Sequence, residues 1–360
     1  MKILHINSIC NISSNGVANA MIDYIKFESK KSEVYLLCLK SKIEIDNVIS
    51  YSLTDYKDNV LKNICDLNKI DLVVFNEVYK YEYIKLYKEC LKHKIPYVII
   101  PHGCLVTVAQ KNKRIKKTVG NLLLFNNFIK NASAIQFLNI EEKNDSNFKY
   151  KKYIISGNGI DEIHATKYKE KKNKEIVYIG RYSIYHKGLD MLFNVCRLNE
   201  DWFRQNKVRV LLYGRSTNDD VNILQKMIIN AGIEDVLVIN DAVYGKDKKS
   251  ILESAFAFIQ TSRHEGQPMG IIEALSYGLP CIVTRGTTFK DIVNDNSCGI
   301  GVEFDEKMIF TAIEKITSKS LSRENMSENA IELIKNNFLW DKIIDDLLKK
   351  YEEIIYGGKI

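Results

Sequence analysis

Two glutamates, Glu265 and Glu273, are separated by seven residues in a glycine-containing stretch, residues 261–275, that follows an apolar run. Gly266 and Gly270 allow a ligand to approach the backbone closely, and the predicted helix that follows offers free N–H groups to an anion. A carboxylate can accept charge-assisted hydrogen bonds from paired sugar hydroxyls, each worth about 1.5–3 kcal/mol. Either acid alone is better explained without a ligand, Glu273 as a helix N-terminal acid and Glu265 as a solvated loop charge. The pair, in this setting, predicts a ligand site.

This stretch resembles the paired-glutamate signature of glycosyltransferase family 4, whose members have the GT-B fold. The resemblance implies that Glu265 contacts the transferred hexose near the reaction centre and that Glu273 holds the ribose of the nucleotide. It also implies that backbone groups around Met269 and Gly270 face the sugar and the phosphate. The resemblance covers most of the chain and is strongest over residues 176–302.

A second motif, Gly180–Asp190, directly follows the apolar run Ile176–Ile179 and contains Arg181 and Lys187. The diphosphate leaving group of a nucleotide sugar must be stabilised by a divalent metal or by fixed cations. No Asp-x-Asp motif follows an apolar strand, so the cationic solution is favoured, and arginine and lysine both suit phosphate oxygens. The same family has a phosphate-clamping arginine and lysine at these positions. The alternative is that both are ordinary surface cations.

Three further residues are candidates for ligand contact. Gly16 begins a predicted helix after the strand Ile3–Ile6 and a polar loop, which suits a phosphate or acceptor cradle or else a plain left-handed turn. His102 lies in a Pro-His-Gly triplet that ends the strand Tyr97–Ile100; a lone histidine there is often structural, but the resemblance to bacterial polysaccharide members implies contact with the donor sugar. The same resemblance places Val243 against the nucleotide base.

Short apolar runs alternate with amphipathic helical segments along the whole chain, which predicts βαβ units and parallel sheets. The ten predicted strands are Ile3–Ile6, Val34–Leu39, Leu72–Phe75, Tyr97–Ile100, Ala134–Leu138, Ile176–Ile179, Val208–Tyr213, Val236–Ile239, Ala257–Gln260 and Cys281–Thr284. The expected fold class is therefore α/β with GT-B architecture: two Rossmann-like doubly wound domains facing a deep cleft, where ligands bind beyond the carboxyl ends of the strands.

Turn-rich and polar segments divide the chain. Residues 1–160 are predicted to form the acceptor-binding domain, and residues 161–337 the domain that binds the nucleotide-sugar donor. Residues 338–360 are predicted to form a helix that packs back on the first domain. The turn-rich hinge is 156–161, and a polar linker follows at 167–174.

Composition limits the class of protein. With 46% apolar and 27% charged residues, the chain is expected to fold as a globular protein. The net charge of +7 favours anionic partners such as nucleotides but is too small for a dedicated nucleic-acid binder. Eight scattered cysteines without a Cys-x-x-Cys pair indicate buried thiols in a reducing compartment. A cytoplasmic location is expected, with a peripheral position on the inner face of the membrane as a further possibility.

The run 111–117 is basic and is followed by the apolar residues 122–125. It resembles a basic amphipathic helix that meets anionic lipid headgroups. A solvated helix face with an ordinary core side explains the pattern equally well.

Together these residues predict a retaining, metal-independent glycosyltransferase in cell-surface polysaccharide synthesis (capsule, O-antigen or exopolysaccharide). It would move a hexosyl-type sugar from a UDP- or GDP-linked donor to a glycan or lipid-linked glycan, with no cofactor. Arg181, Lys187, Glu265 and His102 form the expected catalytic set. The alternatives are a sugar-nucleotide epimerase on the same fold, which needs an acid and a base around the sugar, and a non-catalytic sugar-nucleotide-binding protein.

Overall fold

The computed structural model describes residues 1–8, 16–56, 59–111, 114–165, 173–215, 218–318 and 321–357. The chain forms two compact units. Unit 1 comprises Met1–Gly159 and Trp340–Ile360, and unit 2 comprises Ile160–Leu339. The change of unit falls within the turn-rich hinge predicted at 156–161, whereas most of the predicted linker lies outside the described residues.

Unit 1 is built on a parallel sheet of seven strands in the order β3-β2-β1-β4-β5-β6-β7. The strands are β1 (Lys2–Asn7), β2 (Glu33–Cys38), β3 (Ile49–Ser52), β4 (Leu72–Asn76), β5 (Tyr97–Ile100), β6 (Ala134–Phe137) and β7 (Tyr153–Ile155). The helices are α1 (Gly16–Glu28), α2 (Val60–Asn68), α3 (Tyr81–Lys92), α4 (Thr107–Lys111), α5 (Arg114–Gly120), α6 (Asn126–Asn131) and α7 (Ile140–Asn144). A short π-helical turn, Asn121–Phe125, joins α5 to α6.

Unit 2 is built on a parallel sheet of six strands in the order β10-β9-β8-β11-β12-β13. The strands are β8 (Lys174–Ile179), β9 (Val208–Tyr213), β10 (Leu237–Asn240), β11 (Ala257–Gln260), β12 (Cys281–Thr284) and β13 (Gly299–Val302). The helices are α8 (Leu189–Leu198), α9 (Glu200–Asn206), α10 (Asp220–Ala231), α11 (Gly245–Ser254), α12 (Met269–Ser276), α13 (Lys290–Asp295), α14 (Glu306–Thr317) and α15 (Arg323–Asn337).

Both sheets are doubly wound, which confirms the predicted α/β class with two Rossmann-like units. Each has an apolar core on both faces, because buried parallel strands are apolar on both sides. The ten predicted strands are present, within one residue or two at their ends. The additional strands β3, β7 and β13 lie at sheet edges, where short segments with exposed positions or glycines do not produce an apolar run.

The last helix, α16 (Trp340–Tyr356), packs on the sheet of unit 1. Its buried residues Trp340, Ile344 and Leu347 join the core formed by β1, β2 and α1. The Trp340 ring stacks on Phe27 with a centroid distance of 6.0 Å. The C-terminal helix therefore belongs to the same compact unit as Met1–Gly159.

Candidate active site

The motifs around Arg181 and Glu265 lie beyond the carboxyl ends of two neighbouring strands of unit 2. β8 leads into the first motif and β11 into the second, and the two strands pair in parallel. The strand order reverses between them. In open α/β sheets, ligands bind beyond the carboxyl ends of strands at such a reversal. The sheet therefore brings together two motifs that are far apart in the sequence.

One oxygen of the Glu265 carboxylate accepts three hydrogen bonds. Its Oε1 accepts from Lys187 Nζ, from Ser262 Oγ at 2.6 Å and from Gln260 Nε2 at 2.9 Å. The side chains of Glu265 and Lys187 are only 11% and 16% exposed. Within the described part of the chain, no donor contacts the other oxygen, Oε2. Glu265 therefore has its charge balanced by Lys187 and retains one oxygen that can accept from a ligand hydroxyl.

The local electrostatics keep Glu265 ionised. Burial by itself raises the pKa of this carboxyl, but the Lys187 ammonium, the Ser262 hydroxyl and His186 together hold the pKa below its usual value. Burial lowers the pKa of His186, and the nearby cations Lys187 and Arg181 lower it further, against the opposing effect of Glu265. At neutral pH the site therefore presents a carboxylate beside a neutral imidazole.

Arg263 ties the two motif loops together, a role that the sequence did not suggest. Its Nη1 and Nη2 each donate to one oxygen of Asp190 at 2.7 Å, and its backbone N–H donates to His186 O at 3.0 Å. The guanidinium also lies 4.1 Å from the centroid of Tyr185 and 4.5 Å from that of Phe304. A bidentate, doubly stacked arginine has a well-defined orientation, so the loops carrying Lys187 and Glu265 are held in register.

Gly188 is required where the same loops approach most closely. Its φ is +64°, and a Cβ there would lie 2.0 Å from Thr261 O. The Thr261 hydroxyl donates to the carbonyls of Lys187 and Gly188, at 3.2 and 3.0 Å. The position of Lys187 therefore depends on the absence of a side chain at its neighbour.

Glu273 pairs with Lys248, a residue that the sequence around it does not mark as functional. It lies in the second turn of α12, and its carboxylate accepts from Lys248 Nζ of α11. Both side chains are 27% exposed, so a ligand can reach them. A Cβ on Gly270 would be 3.3 Å from Ile179 O, the end of β8, which shows how closely the start of α12, at Met269, approaches that strand.

The remaining predicted donor contacts surround this pair of loops. Arg181 is exposed directly after β8, and within the described residues it makes no ion pair, so its guanidinium is accessible to an anion. Val243 is half-buried in the loop between β10 and α11, the helix that carries Lys248. Gly266 is half-buried in the loop after Glu265. Their contact with a nucleotide sugar stays a prediction.

His102 belongs to unit 1, where it follows β5. Its backbone is left-handed, with φ +49°, and the next residue, Gly103, has φ +78°. This turn is fixed by Glu142, whose carboxylate accepts from Gly103 N–H at 2.6 Å and from Leu138 N–H at 2.7 Å. The His102 ring lines a small pocket with residues of α1, β4 and β6, and its Nε2 lies 3.4 Å from Asn76 Oδ1. A strained residue that lines a pocket is typical of a functional position.

Gly16 is the first residue of α1, with a helical backbone, so the left-handed turn considered for it is not formed. The preceding loop, residues 9–15, lies outside the described residues. A phosphate or acceptor cradle at this position stays a prediction.

The burial of His102 predicts a pH-dependent stability of unit 1. Burial lowers the pKa of this imidazole to about 4, against a partial upward effect of Glu77. An unfolded histidine binds a proton below about pH 6.5, whereas the native one does so only near pH 4. The stabilisation is therefore complete above pH 6.5 and is lost as the pH falls towards 4. When the pH falls from 7.5 to 5, protonation linked to His102 should lower the free energy of unfolding by about 2 kcal/mol.

Urea unfolding followed by fluorescence checks this expectation. A Trp202→Phe background leaves Trp340, which is buried in unit 1, as the fluorophore. Adding His102→Gln should reduce the difference in unfolding free energy between the two pH values. An unchanged difference would contradict the assignment.

Neither a cluster of metal ligands nor a membrane-spanning helix is found among the described residues. No group of three or more His, Cys, Asp or Glu side chains there could hold a metal ion. Likewise, none of the described helices has the length and apolarity needed to cross a bilayer. The seven cysteines in the described parts of the chain are free thiols and, except for the half-buried Cys104, are buried, as predicted.

Comparison with known proteins relates unit 2 to a family of enzymes. Residues 159–333, which make up nearly all of unit 2, match the family described as "Glycosyl transferases group 1". Unit 2 is therefore similar to the group 1 glycosyl transferases over nearly its whole length. The match includes both motifs, with Arg181, Lys187, Glu265 and Glu273. The match bears out the resemblance to glycosyltransferases that the two motifs indicate.

Two relatives are similar over part of their length. One is the GDP-mannose:cellobiosyl-diphosphopolyprenol alpha-mannosyltransferase of Xanthomonas oryzae pv. oryzae, 22% identical over 55% of this chain and 52% of that protein. Another is the UDP-Gal:alpha-D-GlcNAc-diphosphoundecaprenol alpha-1,3-galactosyltransferase of Escherichia coli, 31% identical over 30% of this chain and 28% of that protein. The matched segment thus spans about half of the first relative and less of the second.

Solved structures share the fold over almost the whole chain. The sucrose-phosphate synthase of Thermosynechococcus elongatus has a TM-score of 0.74 at 13% identity, covering 99% of both chains. The Anabaena protein HepE, in complex with UDP, has a TM-score of 0.74 at 15% identity, covering 98% of this chain and 100% of that one. At these identities the likeness shows the fold.

Proposed function

We propose that the protein transfers a hexosyl-type sugar from a nucleotide-diphosphate donor to a hydroxyl of a glycan, with retention of the anomeric configuration. The observation that carries the proposal is the contact between Lys187 and Glu265 at the reversal point of a group 1 glycosyl transferase sheet. A cation for the diphosphate and a carboxylate for the sugar are thereby adjacent. In a nucleotide sugar, these two groups are likewise adjacent.

The residues of unit 2 have distinct roles in this proposal. The Lys187 ammonium has three donors, so it can keep its bond to Glu265 while another N–H meets a phosphate oxygen. Arg181 offers its guanidinium to the same diphosphate. As the bond between the anomeric carbon and the phosphate oxygen breaks, both cations stabilise the negative charge on the leaving group. Glu265 Oε2 accepts from a sugar hydroxyl, and Glu273 holds the ribose.

Bond formation then occurs on the face that the leaving group departs from. The acceptor oxygen bonds to the anomeric carbon, and its proton passes to the departing phosphate oxygen. His102 orients the sugar. This proposal needs no divalent metal, because Arg181 and Lys187 supply the positive charge.

The acceptor is proposed to be a lipid-linked glycan in the synthesis of a cell-surface polysaccharide. The names of the two relatives support this, since both specify a diphosphate-linked polyprenol acceptor. They name different donors, GDP-mannose and UDP-Gal, so both bases belong in the test.

An assay of transfer with and without chelator tests the reaction. The protein is incubated with UDP-glucose, UDP-galactose or GDP-mannose and a polyprenyl-diphosphate-linked disaccharide, and released nucleotide and the anomer formed are measured by NMR. We expect transfer with retained configuration, at the same rate in EDTA. A requirement for manganese that EDTA abolishes would contradict the metal-free mechanism. An epimerised donor without transfer would favour the epimerase alternative, and binding without turnover would favour a non-catalytic protein.

We also propose that unit 1 contacts an anionic membrane surface through α5 and the π-helical turn after it. Four apolar side chains are exposed there, an apolar set defined here as the α5 patch: Ile115, Val119, Leu122 and Leu123. Ile115 is 83% exposed and Leu122 74%. Spacings of three and four residues place such side chains on one helical face, and the exposed Lys111 and Lys116 lie near it.

Part of the basic run predicted at 111–117 does not face outward. Lys117 Nζ donates to Ala109 O at 2.6 Å and lies 5.1 Å from the centroid of Tyr79, so this cation is used within unit 1. Residues 112 and 113 lie outside the described residues. The exposed apolar side chains, which the helical pattern would place on the core side, carry the proposal instead.

Vesicle sedimentation tests the membrane proposal. The protein should bind phosphatidylcholine vesicles containing phosphatidylglycerol more tightly than pure phosphatidylcholine vesicles, because anionic lipid attracts each nearby cation by about 1 kcal/mol. Replacing both Leu122 and Leu123 with serine should weaken binding at least about 10-fold, since each buried CH₂ is worth about 0.8 kcal/mol. The matched control replaces Leu198 and Ile229, exposed apolar residues of unit 2, with serine. Equal binding of both double variants would contradict the proposal.

A further inference from the structure

Four polar side chains form a continuous hydrogen-bonded series inside unit 1. Glu28 Oε2 lies 2.5 Å from His5 Nε2, His5 Nδ1 lies 3.3 Å from Asn76 Nδ2, and Asn76 Oδ1 lies 3.4 Å from His102 Nε2. His5 and Glu28 are fully buried, and Asn76 is 1% exposed. Asn76 and His102 both line the pocket. A buried carboxylate and two imidazoles in series must be arranged so that every contact has one donor and one acceptor.

The orientation of the Asn76 amide is fixed by a neighbouring carbonyl. Asn76 Nδ2 lies 3.4 Å from Ile6 O, and a carbonyl oxygen can only accept. The NH₂ group must therefore face Ile6 O and His5 Nδ1. The amide oxygen is left to face His102. The reversed amide would direct an oxygen at the Ile6 carbonyl and lose this bond.

This orientation determines the proton on His5. Because Asn76 Nδ2 donates, His5 Nδ1 must accept, so the proton of the neutral ring is on Nε2. His5 Nε2–H then donates to Glu28 Oε2, which must carry no proton in order to accept. Glu28 is thus the acceptor that ends the series, and it is held at the last position of α1.

The same requirement for one donor and one acceptor applies to the contact with His102. Asn76 Oδ1 can only accept, so His102 Nε2 must carry a proton. The burial that lowers the pKa of His102 to about 4 keeps the ring neutral at pH 7. A neutral ring protonated at Nε2 has a lone pair on Nδ1.

We propose that Glu28 and His5 are positioning residues that act through Asn76, together with the Ile6 carbonyl, to hold His102 as the Nε2–H tautomer, with Nδ1 as a hydrogen-bond acceptor. A ligand group that meets Nδ1 must then be a donor, such as a sugar hydroxyl, and a phosphate oxygen or a carboxylate is disfavoured. The effect on sugar transfer rests on the proposed function. The tautomer itself depends only on the contacts within unit 1.

NMR of the full chain labelled with ¹⁵N-histidine tests the tautomer directly. The chain has six histidines, and His5→Gln and His102→Gln variants assign two of them. We expect both His5 and His102 to carry their proton on Nε2 at pH 7. A proton on Nδ1 of His102 would overturn the proposal, whether or not the protein transfers sugar.

Two substitutions of Asn76 separate positioning from a general effect on folding. In Asn76→Asp the carboxylate accepts on both sides, so His102 should stay protonated on Nε2, while His5 should gain a proton on Nδ1 and keep the Nε2 proton that Glu28 accepts. In Asn76→Leu, His102 should populate both tautomers. The proposed hydrogen-bonded series would be contradicted if the protonation of the His5 ring did not change in Asn76→Asp. It would also be contradicted if His102 kept a single tautomer in Asn76→Leu.

Substitutions of Glu28 test the far end of the series. Glu28→Gln keeps an acceptor oxygen and should preserve the Nε2–H tautomer of both His5 and His102. Glu28→Leu removes the acceptor, so His5 should populate both of its tautomers. If Glu28→Leu does not fold, Glu28→Gln and the Asn76 variants still test whether the series holds the tautomers of His5 and His102. Where transfer is measurable, Asn76→Leu should reduce kcat by at least about 10-fold, because a misplaced contact in the reacting geometry is costly, and Glu28→Gln should retain it. If neither the unaltered protein nor any variant transfers sugar, but the tautomers are as expected, the proposed function fails and this inference stands.

Discussion

Replacing Glu265 with alanine is expected to reduce kcat for sugar transfer by about 10²–10³-fold, the loss typical when one preorganised electrostatic contact is removed from an active site. The substitution removes the free Oε2 that would meet the sugar. It also leaves the mostly buried Lys187 without its counter-charge. Donor binding should weaken less than kcat, since the diphosphate and the ribose are held by other residues.

Variants at both partners separate these effects. Glu265→Gln retains one acceptor oxygen for Ser262 and Gln260 but removes the charge and replaces the other oxygen with an NH₂ donor; its loss should still be smaller than that of Glu265→Ala. Lys187→Ala should also lose most of the activity, because it leaves the carboxylate without its cation. Since the two residues are in contact, the double alanine variant should lose less than the product of the single losses.

Steady-state rates of nucleotide release with acceptor present provide the measurement. The matched control is Glu332→Ala, at an exposed glutamate of α15 in the same unit; it should keep full activity. Donor turnover that persisted unchanged in Glu265→Ala and Lys187→Ala would refute the assignment of this site.

Replacing Gly188 with alanine is expected to destabilise unit 2 by about 2–5 kcal/mol. Left-handed backbone costs a residue with a side chain about 1–2 kcal/mol. The new Cβ would also lie 2.0 Å from Thr261 O, which is backbone and cannot move aside without shifting the loop. Overpacking of this kind adds about 1–3 kcal/mol.

The loop shift should also affect catalysis. Gly188 directly follows Lys187, so relief of the clash displaces the ammonium from Glu265. A displacement near 1 Å in a reacting geometry costs about 10²-fold in rate. We therefore expect a loss of kcat even at temperatures at which the variant remains folded.

Gly232→Ala is the matched control. Gly232 follows α10 with φ +65°, almost the same as at Gly188, but a Cβ there would have no atom within 4 Å. It should cost only the backbone contribution, about 1 kcal/mol, and leave activity unchanged. Urea unfolding measured by circular dichroism, with rates measured in parallel, compares the two. Equal stability and equal activity of the two variants would show that the close contact between Gly188 and Thr261 O matters neither for stability nor for catalysis.

Much of the fold could be predicted from local pattern. The apolar runs of β1, β4, β8 and β11 are strong signals because a parallel strand is buried on both faces. The edge strands could not be predicted in the same way. β13, for example, contains Gly299 and Gly301, and its place in the sheet follows from its pairing with β12.

The candidate site shows the same division. The residue types, the neighbouring glycines and the positions after apolar strands are enough to indicate Arg181, Lys187, Glu265 and Glu273. Lys248 is not indicated in this way, because nothing in its sequence neighbourhood distinguishes it from other surface lysines. Its pairing with Glu273 depends on the packing of α11 beside α12.

The sequence by itself determined the α/β class, the two motifs and the chemistry that their side chains can perform, because these depend on residues within a few positions of one another. Tertiary structure decided which side chains meet. Lys187 and Glu265 are 78 positions apart, and Asn76 and His5 are 71 apart. They touch because a parallel sheet places distant strands side by side with their carboxyl ends at one edge. Contacts made across a sheet depend on strand order, and no local spacing in the sequence records that order.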